Sequence, residues 1–106
     1  MIESIKNPLE ILRRSLEKEL VASFRNDGRN YVASGVNEQG LKVQVTLHRE
    51  GNVCQVFFAE QDDPHYDWVV IKDIILVSMT KRGAKEVRDF LEMHGAKLAN
   101  DPPAAQ

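Results

Sequence analysis

From Leu41 to His48 the chain alternates without a break. Leu41, Val43, Val45 and Leu47 fall on one side of an extended backbone, and Lys42, Gln44, Thr46 and His48 fall on the other. Only a strand with one dry face and one polar face accommodates that pattern, because side chains of a strand repeat every two residues. The flanking segments Asn37-Glu38-Gln39-Gly40 and Arg49-Glu50-Gly51-Asn52 are turn signals. They place Tyr31–Val36 before this strand and Val53–Glu60 after it as antiparallel neighbours. Trp68–Ser78, rich in β-branched residues, is predicted as a fourth strand, with Lys72-Asp73 marking a bulge or bend. A helical stripe of Trp68, Ile71, Ile75 and Met79 competes with that reading, and the strand is favoured.

Two segments change period from two to about 3.6. Asn7 is placed to cap a helix that starts at Pro8, with Leu9, Leu12, Leu16, Leu20 and Phe24 as its buried stripe. Asn26-Asp27-Gly28 is read as its stop. Thr80 is placed to cap a second helix running to about His94, with Ala84, Val87 and Leu91 inward, Phe90 beside them and Gly95 as the stop. Gly83 is expected to weaken its first turn by up to about 1 kcal/mol relative to alanine. Residues 99–106, with Pro102-Pro103, are expected to be a disordered tail. The fold class follows: a single α+β domain over residues 1–98, in the order α-β-β-β-β-α, with both helices on one face of a four-stranded antiparallel β-meander.

Composition bounds what such a domain can do. The chain has 106 residues, and a formal net charge of -2 removes the electrostatic case for a dedicated nucleic-acid binder without forbidding a local basic face. The longest apolar runs, such as Ile74–Val77, fall far short of the roughly 20 residues needed to span a bilayer. Met1–Pro8 lacks the apolar core of a secretory leader, so a cytoplasmic protein, bacterial or phage-like, is expected. The single cysteine, Cys54, has no partner for an internal disulfide and reads as a small buried hydrophobe.

Chemistry-bearing residues gather in two places. The loop between the third and fourth strands holds Asp62, Asp63, His65, Tyr66, Asp67 and Trp68, with no lysine or arginine among them. The spacing matches no calcium loop and no histidine pair, so no metal is expected. It reads either as a solvated turn or as a recognition loop, with a half-buried Trp68 as anchor and the acids facing a basic partner. The second place is the start of the last helix, where Lys81, Arg82, Lys85 and Arg88 could grip phosphate. His48, His65 and His94 lie on a strand, a loop and a helix end, with no spacing that brings them together. No nucleophile elbow, phosphate loop or cysteine–histidine signature is present, and no cofactor is called for.

The residues therefore point to a non-enzymatic interaction or regulatory protein that acts by binding a partner protein. Homodimerisation is expected through the sheet face carrying either Val53 and Phe57 or Val56 and Phe58, since that strand has apolar residues for both faces. The alternative is a nucleic-acid-binding regulator using the last helix; a metal-dependent enzyme built on the Asp62–Asp67 loop ranks below it. In size and element order the chain resembles small bacterial and phage immunity proteins, secretion chaperones and inhibitors, a resemblance that assigns no residue a role.

Overall fold

A computed structural model describes residues 7–99. The first helix, α1, spans Pro8–Leu20, and the Asn7 side chain accepts the Leu9 N–H at 3.0 Å. Leu9, Leu12 and Leu16 are buried on its inner face. The helix ends a turn earlier than the stripe predicted. Val21 takes a left-handed conformation (φ 50°), and the Glu17 carboxylate accepts the Phe24 N–H at 2.9 Å. Phe24 thus enters the core from the segment after the helix rather than from the helix itself.

The expected helix stop is instead a hairpin. Residues Arg25–Asp27 form strand β1, and the chain turns back at Gly28 into β2, Asn30–Val36. Asp-Gly signals a tight hairpin as well as a helix end, and here the hairpin prevails. Strands β3 (Lys42–Glu50), β4 (Val53–Gln61) and β5 (Val69–Ser78) continue the meander, followed by α2 (Lys81–Met93) and a two-residue β6 (Lys97–Leu98). The sheet order is β1-β2-β3-β4-β5, with β6 also pairing β2, and every pairing is antiparallel. The sheet therefore has six strands rather than four. Both additional strands are too short to leave an alternation in the sequence, and they cover the outer edge of β2. Ala99, expected in the tail, is tied to this edge: its N–H bonds to Ser34 O at 2.8 Å, and its carbonyl accepts the Ser23 N–H. The remainder of the expected tail, 100–106, lies outside the described residues.

The ambiguous segment is a strand, and its interruption is a bulge. Phe58 pairs with Asp73 and Ala59 with Ile71, so Lys72 has no partner on β4. Cross-strand partners share a face. Leu47, Val56 and Ile75 therefore point with Val45, Phe58 and Asp73 toward the helices. Leu9, Leu12, Leu16, Val45, Leu47, Val56, Phe58, Val87 and Leu91 close one core between the sheet and both helices. Cys54 lies in it, and burial pushes its thiol up to about 11. Because the folded thiol titrates above its ordinary value, it favours the fold below pH 9, and that contribution fades as the pH rises from 9 toward 11. A thiol reagent at pH 8 is expected to leave Cys54 unmodified in native protein and to label it fully in denaturant; equal rates in both would contradict this burial.

Two glycines are set by close approach of backbone. An ideal Cβ on Gly35 would lie 2.0 Å from Lys97 O, where β6 crosses β2. One on Gly83 would lie 1.7 Å from Ser78 O, where α2 starts against the end of β5. The sequence reading treated Gly83 as a weak point in a helix, whereas it is what allows the helix to begin there.

Candidate interaction surface

The face of the sheet turned away from the helices carries two kinds of residue. Toward β2 and β3 it is largely polar, with Ser34, Lys42, Gln44, Thr46 and His48; His48 Nδ1 lies 2.9 Å from Asn30 Oδ1. Toward β5 it is apolar. Val53, Phe57 and Ala59 share this face with Ile71, Ile74 and Leu76, Gln55 being the one polar residue between Val53 and Ala59, and Trp68 lies just before the strand in the preceding loop. Ala59 is covered by its neighbours, but Trp68 is 60% exposed, Ile71 56%, Ile74 47% and Leu76 60%. Single exposed apolar residues are ordinary on a soluble domain; three large ones on one face of a single strand, with a tryptophan just before it, are not. Val56 and Phe58, the other expected dimer face, are buried under the helices. That alternative is corrected: their face is already covered within one chain.

Gln61 fixes the loop that precedes β5. It is buried, its Oε1 accepts the Lys42 N–H at 2.9 Å, and its amide nitrogen donates to Tyr66 O. The loop then sets Tyr66 flat against Trp68, with ring centres 4.5 Å apart and planes 21° from parallel. Trp68 is more exposed than the half-buried anchor the sequence suggested. Beside it a groove of about 730 Å³ opens between the loop and the β2–β3 end of the sheet, with Val36, Lys42, Gln44, Asp67 and Trp68 among its walls.

The loop acids are not an uncompensated cluster. Asp67 pairs with Lys42 at 2.7 Å and Asp62 with Lys72 at 2.5 Å, both cations coming from neighbouring strands. Asp63 accepts the His65 backbone N–H and lies 3.0 Å from its ring, contacts that hold its carboxyl below the usual value. The hydrogen bond to Asp62 raises the Lys72 ammonium. Linear sequence shows no cation in the loop because the cations reach it across the sheet. Asp62, Asp63, His65, Tyr66, Asp67 and Trp68 lie in the one loop stretch before β5, Asp63 partly covered and the others exposed. Ile71, Ile74 and Leu76, which sequence reasoning left out, extend it. The bulge at Lys72 hid them: strict alternation would put Ile71 on the face opposite Ile74 and Leu76, and the bulge brings all three to one face.

The helix residues lie elsewhere. Lys81, Arg82 and Lys85 are exposed on α2, whereas Arg88 is engaged by Glu19 at 2.9 Å and Asp89 at 3.1 Å. His94 stacks on Phe58 with ring centres 4.4 Å apart and bonds to Asp73 at 3.0 Å, a structural role at the end of the helix. Among the described residues no three His, Cys, Asp or Glu side chains converge on a metal-sized site, and no helix is long and apolar enough to cross a membrane. No family model, curated protein or solved structure matches the chain.

Proposed function

We propose that this protein is a non-catalytic interaction module that binds a partner protein through the β5 side of its open sheet face and the adjoining Tyr66–Trp68 step. The observation that carries the reading is the exposed row Trp68, Ile71, Ile74 and Leu76, joined on a rigid sheet to a loop pinned by Gln61. Paired aromatic rings offer contact area with little side-chain entropy to lose, and a strand holds its side chains in fixed register. Asp62, Asp63 and Asp67 border this apolar centre; Lys72 and Lys42 already pair with Asp62 and Asp67, and the net acidic edge that is left suits a partner with basic groups.

Capture from native cell extract tests the reading. Trp68→Ala is expected to reduce retention of a partner at least tenfold, as loss of a central aromatic does. Asp62→Lys with Asp63→Lys is expected to slow association most at low salt, with thermal stability retained. A partner retained equally by wild type and both variants binds elsewhere, and the reading fails.

A further inference from the structure

The two edges of the sheet are treated differently. The outer edge of β2 is covered along its length by β1 and β6, while β5 pairs only with β4. A free edge beside an apolar face invites any passing strand, and proteins blunt such edges with lysines, bulges and inward-turned charges. β5 has all three at its centre. Lys72 sits in the bulge, and Asp73 turns inward to His94 while its other oxygen accepts the Ile74 N–H at 2.9 Å. Against a foreign strand, Lys72 and Asp73 are charges without a match.

Against its own copy they are matched. About the midpoint between Lys72 and Asp73 the strand reads alike in both directions: Ile71 mirrors Ile74, Val70 mirrors Ile75, and Val69 mirrors Leu76. An antiparallel pair of β5 strands about a two-fold axis at that midpoint sets Lys72 of each copy opposite Asp73 of the other. A shift of one residue either way would set Lys72 on Lys72 or Asp73 on Asp73. In a regular strand this register would place residues of opposite faces against each other, because facing partners must differ by an even number. The bulge adds the one residue that restores agreement. Ile71 and Ile74 both lie on the open face, and Val70 and Ile75 both lie on the helix face.

We infer that β5 is a homodimer edge, pairing antiparallel with β5 of a second copy in the register Lys72–Asp73, Ile71–Ile74 and Val69–Leu76. This deepens the proposed interaction role by naming one partner of the same strand, and it rests on that reading only in taking the β5 surface as a contact surface. The charges need not abandon their own chain. The Lys72 ammonium has three donors and gives one to Asp62; the Asp73 carboxylate has room beyond Ile74 and His94. A stable dimer needs about 800 Å² from each copy. Backbone pairing along Val69–Leu76, about 27 Å of strand, would add to the area buried by the exposed β5 side chains.

Sedimentation equilibrium with charge variants tests the register. Wild type is expected to dimerise at tens of micromolar. Lys72→Asp alone sets acid against acid across the axis, and Asp73→Lys alone sets lysine against lysine, so each variant is expected to dimerise about tenfold more weakly or worse. Mixed together, the two variants meet in complementary pairs and are expected to recover dimers as a heterodimer. A wild type that stays monomeric at about 100 µM, above the dissociation constant expected here, overturns the inference. So do single variants that dimerise as wild type does, which would mark packing of the open faces instead, or a mixture that remains monomeric. If the variants do not fold, amide exchange on wild type decides: slower exchange along β5 with rising concentration supports the edge, and concentration-independent exchange overturns it. Lys72→Asp also removes the ion pair to Asp62, so loss of an outside partner and loss of the dimer are read separately on Asp73→Lys, which leaves Trp68 and the loop's own contacts intact.

Discussion

Gly83→Ala is expected to destabilise the fold by about 3 kcal/mol and to lower the melting temperature by roughly 15 °C. Helix propensity alone predicts the opposite, since alanine is better than glycine in a helix by about 1 kcal/mol. Sterics decide the sign. The added Cβ would sit 1.7 Å from Ser78 O and 2.8 Å from Ser78 C, both backbone atoms of a residue paired with Val53. Neither can move aside as a flexible side chain would. The same turn is held by Thr80, whose hydroxyl accepts the Gly83 N–H at 3.3 Å and lies 2.8 Å from Ser78 Oγ. Relieving the clash therefore means separating α2 from β5 and disturbing the cap together. Thermal and urea unfolding measure the effect, and an unchanged or raised midpoint would show that the helix start is not fixed by this approach.

Phe58→Ala is the second large change, expected to remove about 4 kcal/mol. Phe58 is 1% exposed and is among the largest fully buried side chains. Its ring stacks on His94 and meets Phe90 edge-on, with centres 6.1 Å apart and planes 80° from parallel. Truncation leaves a cavity beneath both helices and exposes the His94 ring that bonds Asp73. Phe58→Leu retains most of the volume and loses the aromatic contacts, so it is expected to fall about 1.5 kcal/mol below wild type. Urea unfolding of the pair separates cavity from ring contact, and equal losses for both variants would contradict the packing described.

Most of this fold was legible in the sequence, and the failures have definite causes. Period-two alternation placed β3, the turn signals on either side placed β2 and β4 beside it, and period 3.6 with capping residues placed both helices. β1 and β6 are too short to repeat anything. They exist through pairing with β2, a tertiary effect. The end of α1 was missed because Phe24 continues the helical spacing although the chain has already left the helix at Val21. In the candidate surface, Tyr66, Trp68 and the acids were visible as composition. Their ion pairs with Lys42 and Lys72 were not, since those cations lie 25 and 10 residues away in sequence. Ile71, Ile74 and Leu76 were obscured because a bulge shifts the face on which a strand residue lands.

We propose that the β5 row and the Tyr66–Trp68 step form a contact surface in the cell. Photo-crosslinking from single positions tests it most directly. A photoreactive phenylalanine analogue at position 68 or 74 is expected to give adducts of discrete mass in living cells. The same group at Lys85 or Glu86, on the exposed face of α2, is expected to give none. Absence of adducts from 68 and 74, or the same adducts from 85 and 86, would contradict the account.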